Sequence, residues 1–233
     1  MIQIDFNKIE KILELEFNNL DLFKRALTHR SFLNENKKWG EIGHNERLEF
    51  LGDSILGLIV AEYLFKEYSE LREGDLTALR AALINSDSLL EVADRLNLKK
   101  YLLVSQGEKN ELEKSHPYFL ANAVEAIIGA IYLDKGFDEA KKFVTKHILS
   151  KAENIFKTES YKDPKSLFQE KSQENLNITP IYKILKSWGP DHLKQFQVGV
   201  YFKKELVAEG DGHSKQEAEV NAAKKALSKK GWK

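Results

Sequence analysis

The stretch Asn45-Glu-Arg-Leu-Glu-Phe-Leu-Gly-Asp-Ser54 decides the fold, because its polar and apolar residues alternate with the period of an α-helix. At about 100° per residue, Glu46, Glu49 and Asp53 fall within about 60° of one another, on one stripe of that helix. Four apolar residues cluster on the opposite side: Leu48, Leu51, Ile55 and Ile59. The stretch therefore predicts a helix with one acidic face and one core face.

The acidic stripe is a candidate metal site. Like charges this close repel one another unless something positive lies among them. Hard divalent cations such as Mg²⁺ prefer carboxylate oxygens to the other ligands that proteins offer. The alternative interpretation of the three acids alone is a solvated helix face.

A second predicted helix, Leu120-Ala-Asn-Ala-Val-Glu-Ala-Ile-Ile-Gly129, places Asn122 and Glu125 one turn apart among small and apolar residues. Polar groups in such surroundings need partners when they are buried. Glycine costs about 1 kcal/mol relative to alanine inside a helix, which is tolerable where two helices must approach closely. Three glycines stand in these helical patterns: Gly52, Gly57 and Gly129. We therefore expect the two helices to pack together and to unite their polar pairs.

The hydrophobic period divides the chain into two domains. Up to about residue 155 the apolar residues recur at helical spacing, while later runs alternate as in antiparallel strands. We predict an all-α domain over residues 1–155, a linker over 156–161, and a small α-β-β-β-α domain over 162–233. The polar segments 34–43 and 107–117 are expected to be loops that flank the site.

The composition favours a globular protein of the cell interior. The chain of 233 residues has no cysteine, so neither disulfides nor thiolate metal sites are available. Its longest apolar run, Ile55 to Ala61, is too short to span a bilayer. We expect a soluble, cytoplasmic protein with no membrane partner.

The charges are unevenly distributed, although their sum is zero. From Lys162 to the end there are 14 basic and nine acidic residues, which leaves 22 basic and 27 acidic residues before that point. This asymmetry suggests a tail attracted to phosphate and a body that holds cations. Chance unevenness is the alternative that the counts leave open.

The last predicted helix supplies a phosphate-binding end. Ser214 and Glu217 have the spacing of a capping box, which places Lys215 in the first turn. A helix N-terminus presents free N–H groups and a partial positive charge, and Lys224 and Lys225 extend that positive surface. A solvated, lysine-rich terminal helix is the alternative.

Beyond these local patterns, the chain resembles a known family. The nonapeptide Asn45 to Asp53 is similar to the signature of ribonuclease III, and the agreement covers nearly the whole chain. Further matching segments are Ala26 to Phe32, Arg72 to Gly74, Leu76 to Ala81 and Val124 to Asp134. The tail from Asp163 to about Gly231 resembles the double-stranded RNA-binding domain. The fold that the resemblance implies is an all-α endonuclease domain followed by a small α+β RNA-binding domain.

The resemblance also implies a chemistry. Glu49, Asp53 and Glu125 correspond to carboxylates of an Mg²⁺ site, in which Mn²⁺ can substitute, with Asp53 and Glu125 closest to catalysis. Glu46 and Glu73 match further acids that line the cleavage valley. The implied reaction is hydrolysis of double-stranded RNA to 5′-phosphate and 3′-hydroxyl ends, with the cation activating water and stabilising the leaving oxygen.

Asn122 departs from the commonest pattern of the family, which has aspartate at this position. The amide can offer one neutral oxygen as a weaker metal ligand, but no charge. The alternative function is therefore a protein that binds duplex RNA with weakened or absent cleavage. A helical scaffold with an appended RNA-binding module is a further alternative, but it gives no reason to keep three carboxylates together.

For the tail, the resemblance implies that Gln169, His192 and Lys215 contact RNA, across about 16 base pairs and with little sequence preference. The family also implies a homodimer in which two sites cut opposite strands and leave two-nucleotide 3′ overhangs. Phe50 then belongs to the dimer interface, although a core role within one chain is equally compatible with the sequence. The expected substrates are ribosomal precursors and other structured transcripts.

Overall fold

The computed structural model describes residues 5–114, 118–190 and 193–232, except for the side chains of 111–114. The chain forms two compact units, which divide between Asn154 and Ile155. Helix α10 (Ala152–Lys157) contains this division, so part of the segment expected to be a linker is helical. Within the described ranges, none of the helices combines the length and the apolar character needed to cross a membrane.

The first unit is helical throughout its described part. Its α-helices are α1 (Phe6–Leu13), α2 (Leu20–Ala26), α3 (Arg30–Glu35), α4 (Glu46–Glu67), α5 (Glu73–Ile84), α6 (Ser86–Arg95), α7 (Gln106–Lys114), α8 (Phe119–Lys135) and α9 (Phe137–His147). Short 3₁₀ turns occur at Lys37–Trp39, Leu98–Lys100 and Leu149–Lys151. The apolar side of α4 and most of α8 lie in the core, with Leu56, Ile59 and Ile127 fully buried.

Two glycines allow α4 and α8 to touch through their backbones. A Cβ atom added to Gly52 would overlap the backbone carbonyl of Glu125, and one added to Gly129 would overlap the carbonyl of Leu48. The predicted close approach is confirmed at these two positions. It is wrong for Gly57, where an added Cβ would meet nothing within 4 Å.

The segment expected to be a loop over residues 107–117 is helical as far as Lys114, and residues 115–117 lie outside the described part. The backbone N–H of Glu108 donates to Ser105 Oγ at 3.3 Å, which caps the start of α7. The residues that follow include Glu, Lys and Leu, which are good helix formers and outweigh Gly107 in the first turn. In the other expected loop, α3 continues to Glu35 and a 3₁₀ turn follows.

The second unit has the predicted α-β-β-β-α order. Its elements are α11 (Pro164–Leu176), β1 (Ile181–Trp188), β2 (Gln195–Phe202), β3 (Glu205–Gly212) and α12 (Lys215–Lys230). The strands form an antiparallel sheet in the order β1-β2-β3. Phe168 of α11, Val200 of β2 and Ala222 of α12 are completely buried in one core between the sheet and the helices.

Candidate active site and RNA-binding surface

Backbone hydrogen bonds of Asn45 hold the start of α4 in place. Asn45 is 2% exposed, and its backbone N–H donates to the Thr28 carbonyl at 2.9 Å, which ties the start of α4 to the end of α2. Its own carbonyl accepts from the N–H groups of Leu48 and Glu49 at 2.8 and 2.9 Å. The first turn is therefore held rigidly, and the acids that follow project from a defined helix.

The structure brings together Glu49 and Asp53 of α4 with Asn122 and Glu125 of α8, and we call these four residues the carboxylate cluster. Burial raises the pKa of the Glu125 carboxyl to about 7, and the charges of Asp53 and Glu49 add to this rise. Burial also raises the pKa of Glu49, to which Glu46 and Asp53 contribute. The cluster thus concentrates negative charge where water is partly excluded.

Asn122 takes part in the cluster as a neutral polar group beside Glu49. Hydrogen bonding from its side chain lowers the pKa of the Glu49 carboxyl and so opposes the effect of burial. Because a carboxylate only accepts hydrogen bonds, the donor is the amide nitrogen of Asn122. An aspartate at this position could not donate in its ionised form, and it would add a charge to the cluster.

The residues of the cluster fit a hard cation by their chemistry. As metal ligands they offer carboxylate and amide oxygens, and the pKa of Glu125 is raised first by burial and then by the repulsion of Asp53 and Glu49, which a bound cation would relieve. Within the described ranges, however, no three acidic or histidine side chains already stand at the spacing of a metal-binding group. The cluster is therefore a set of converging donors whose side chains must turn toward a cation.

The two auxiliary acids have different surroundings. Glu46 lies 3.5 Å from Nη1 of Arg30 and 3.7 Å from Nδ1 of His44. This ring nitrogen is buried, and it has no hydrogen-bond partner among the described residues. Glu73 begins α5, where its carboxylate accepts a hydrogen bond from Thr77 Oγ1 at 3.0 Å. Sequence reasoning missed Arg30, because only the folded arrangement brings the start of α3 to the start of α4.

His29 serves the packing around this site. Its ring stacks on Phe119 with centroids 5.3 Å apart, and its Nδ1 lies 2.8 Å from Ser31 Oγ at the start of α3. Burial lowers the pKa of His29, which favours the neutral ring. These contacts give His29 a structural and hydrogen-bonding role.

The second unit presents the expected basic helix end. The N–H of Glu217 donates to Ser214 Oγ at 3.1 Å, while the Glu217 carboxylate accepts from the N–H of His213 at 2.7 Å. The capping is therefore reciprocal, but the carboxylate reaches one residue further back than predicted. Lys215, at the first position of α12, is exposed, as are Lys224 and Lys225.

A groove of about 680 Å³ runs between α11 and α12. Gln169 and Lys215 line it together with Lys165, which pairs with Glu219 and lies 5.0 Å above the Tyr182 ring. The structure thus places Gln169 and Lys215 on one surface. The position predicted for His192 lies outside the described residues.

Phe50 lies on the outer face of α4 and is 78% exposed, so it is not part of the core. Leu58 and Phe65 of the same helix are also exposed. Their spacing of seven and eight residues places the three side chains on one face. This outer face of α4 is an apolar surface that the described residues of the single chain leave exposed.

Comparison with known proteins identifies both units. Residues 19–152 match the family model described as Ribonuclease-III-like, and residues 164–230 match the Double-stranded RNA binding motif. Ribonuclease 3 of Leptospira interrogans (strain Fiocruz L1-130) is 42% identical over 217 residues, which cover 93% of this chain and 87% of the relative. Ribonuclease 3 of Moorella thermoacetica is 45% identical over 213 residues, 91% of this chain and 88% of the relative.

A solved structure agrees with the helical unit. The nuclease domain of ribonuclease III from Campylobacter jejuni is 44% identical and superposes with a TM-score of 0.57. The match covers 63% of this chain and 97% of that domain.

The helical unit, the carboxylate cluster and the RNA-binding domain together define a metal-dependent endoribonuclease that acts on double-stranded RNA. The chain belongs to the ribonuclease III family. The predicted fold class and family resemblance are thereby confirmed.

Proposed function

We propose that the chain hydrolyses double-stranded RNA at the carboxylate cluster with Mg²⁺, for which Mn²⁺ can substitute. The observation that carries this proposal is the convergence of Glu49, Asp53 and Glu125, whose mutual repulsion contributes to a pKa of about 7 for Glu125. Oxygen donors of this kind suit Mg²⁺ and Mn²⁺ better than softer metals. Incubation of the purified chain with duplex RNA, with and without Mg²⁺, tests the proposal.

The residues of the cluster divide the work. Glu49, Asp53 and Glu125 would hold the cation, which supplies activation of water and stabilisation of the leaving 3′ oxygen. Asp53 and Glu125 are the residues that we assign to catalysis. Asn122 orients Glu49 through its amide N–H and offers its oxygen as a weaker metal ligand, while Glu46 and Glu73 act as auxiliary acids. The products are 5′-phosphate and 3′-hydroxyl ends.

We further propose that the protein acts as a homodimer through the outer face of α4. Phe50 is 78% exposed and Phe65 is 74% exposed, which favours burial against another apolar surface. The nuclease domain from Campylobacter jejuni has a region involved in dimer formation, and that region shows structural flexibility. Two sites in one dimer would cut opposite strands and leave two-nucleotide 3′ overhangs.

The second unit supplies the grip on RNA, and we assign this role to Gln169, Lys215, Lys224 and Lys225, together with His192. The domain limits that we propose are 1–155 for the nuclease, 156–161 for the linker and 162–233 for RNA binding. The substrates are structured transcripts, ribosomal precursors above all, and the cytoplasm is the proposed location.

The grip can be tested at Lys215. We expect Lys215→Ala to weaken duplex binding by roughly fivefold to tenfold, since one charge-assisted phosphate contact contributes about 1 kcal/mol or more. The slope of log affinity against log salt should fall by about one unit, because one fewer counterion is released. Filter binding or fluorescence anisotropy at several salt concentrations gives both quantities.

Lys204→Ala is the matched control for this experiment. Lys204 is exposed in the turn before β3, so the whole length of that strand separates it from the start of α12. The Lys204→Ala substitution should leave both the duplex affinity and its salt dependence unchanged. Equal losses in the two variants would show that the surface binds RNA by charge alone, without a defined contact at Lys215.

Duplex binding without efficient cleavage is the second candidate function, and the neutral side chain of Asn122 favours it. If Asn122 lies at the cation, Asn122→Asp should lower the Mg²⁺ midpoint for cleavage by about threefold to tenfold, through one added charge. Duplex affinity measured without metal should be unchanged. A wild type that binds duplex RNA but does not cut it, together with an aspartate variant that does cut it, would establish duplex binding as the function. Equal Mg²⁺ midpoints for the wild type and the aspartate variant would show that Asn122 is not a metal ligand.

A further inference from the structure

A small polar pocket opens beside the carboxylate cluster. It has a volume of about 250 Å³, and it shares Glu49 and Asn122 with the cluster. Its other lining residues are His29, Arg30, Asn45, Glu46 and Tyr118. The pocket thus joins the beginning of α3 and α4 to the beginning of α8.

Arg30 is the basic group of this pocket and has unused capacity. Its side chain is 71% exposed, and its ion pair with Glu46 is 3.5 Å long, at the limit of a hydrogen bond. A guanidinium carries five N–H donors in a planar fork that matches the oxygens of a phosphate. Within the part of the chain that the structure describes, one long ion pair leaves most of these donors free for a ligand.

The opposite wall adds to the attraction for an anion. Tyr118, which is 68% exposed, stands at the N-terminal end of the 17-residue helix α8. The positive end of that helix dipole therefore lies at the pocket. Asn122 contributes a neutral amide where a carboxylate would repel an anion.

The negative charges of Glu46 and Glu49 oppose the binding of an anion in this pocket, so anion binding depends on a bound cation. In the proposed function a divalent cation neutralises the side of the cluster to which Glu49 belongs. With the cation bound, the repulsion between Glu49 and an anion in the pocket is reduced, so cation and anion should bind cooperatively.

We propose that this pocket, the Arg30 pocket, binds a backbone phosphate of the RNA strand that is cut, next to the scissile phosphate, with the Arg30 guanidinium as its main donor. This inference rests on the proposed function, because it places the pocket beside the reacting bond. It makes Arg30 a substrate-positioning residue. The competing explanation is that Arg30 only neutralises Glu46 and so affects the cation.

The test uses a synthetic RNA duplex in which single backbone phosphates near the cut are replaced by neutral methylphosphonates. Each modified position is compared with the same position carrying only a 2′-deoxy sugar. Cleavage in Mg²⁺ is measured for wild type, Arg30→Ala and Arg30→Lys. The control is Lys142→Ala, because Lys142 is 72% exposed and pairs with Glu139 on α9.

We expect Arg30→Ala to lower kcat/KM by roughly tenfold. The slope of log kcat/KM against log salt concentration should fall by about one unit, because one phosphate contact is lost. One methylphosphonate beside the cut should slow wild type and Lys142→Ala, but have no further effect on Arg30→Ala. Such non-additivity is the signature of a direct contact. Arg30→Lys should keep the charge and recover part of the loss.

Two results would contradict the proposed role of the Arg30 pocket without contradicting the proposed function. The first is an interference pattern in Arg30→Ala identical to that of wild type. The second is an Arg30→Ala variant in which only the Mg²⁺ midpoint for cleavage changes. That result is expected if Arg30 acts only by neutralising the charge of Glu46. A wild type that does not cut the unmodified duplex in Mg²⁺ would instead overturn the proposed function and this inference together. Circular dichroism of each variant confirms that the helices are intact.

Discussion

Glu125→Gln is expected to abolish cleavage of duplex RNA, lowering the rate by roughly 10³-fold or more, while duplex binding stays within about twofold. The substitution keeps the size of the side chain and removes the charge that Asp53 and Glu49 crowd. The cluster would then lose a cation ligand without a cavity forming. Binding should survive, because the RNA-binding groove belongs to the other unit.

Glu139→Gln provides the matched control for this change. Glu139 lies on α9 and pairs with Lys142 at the surface, so its loss should alter cleavage little. Single-turnover cleavage and duplex affinity are measured for both variants. If Glu125→Gln lost binding and cleavage to the same extent, the division of labour between the two units would be contradicted.

Gly52→Ala is expected to destabilise the helical unit by about 3 kcal/mol or more, which corresponds to a fall in Tm of roughly 10 °C. The added Cβ would overlap the backbone carbonyl of Glu125, and a backbone cannot turn aside as a side chain can. Helices α4 and α8 would have to separate. Since both helices carry the carboxylate cluster, cleavage should fall as well.

Gly74→Ala is the control for the glycine effect. Gly74 is also helical, near the start of α5, but an added Cβ there would meet nothing within 4 Å. Thermal unfolding followed by circular dichroism should show an unchanged or slightly higher Tm. A Gly52→Ala protein that melts at the same temperature as wild type would contradict the backbone contact between α4 and α8.

The acidic stripe could be predicted because helical period is a local property. Once residues 45–54 are helical, Glu49 and Asp53 must share a face. The pairing of this helix with residues 120–129 could also be predicted, from polar residues and glycines that only a close helix contact explains. Gly57 carries the same local signal without such a contact, so the glycine argument fails there.

The partners of individual side chains could not be predicted in the same way. Arg30 reaches Glu46 because α3 and α4 begin side by side, and no spacing in the sequence encodes that. The donation from Asn122 to Glu49 likewise depends on the packing of α8 against α4. Sequence reasoning treats Asn122 as a weakened ligand, whereas its amide is also placed to donate toward Glu49 and lower the pKa of that carboxyl.

Local signals were also misjudged where two of them competed. Gly107 and the polar residues after it suggested a loop, but capping by Ser105 and a run of strong helix formers produce α7. In the second unit the alternating pattern of β2 was unambiguous, since Val198, Val200 and Phe202 are buried on one side of the sheet.

Cleavage of double-stranded RNA by a divalent cation at the carboxylate cluster is the claim on which the other assignments depend. The most direct measurement is incubation of the purified wild-type chain with a long RNA duplex and with the matching single strand, with and without Mg²⁺, followed by analysis of the ends. We expect cleavage of the duplex only, dependent on Mg²⁺, with 5′-phosphate and 3′-hydroxyl ends. Duplex cleavage at an equal rate in the presence of a chelator, or an intact duplex in saturating Mg²⁺, would contradict the account.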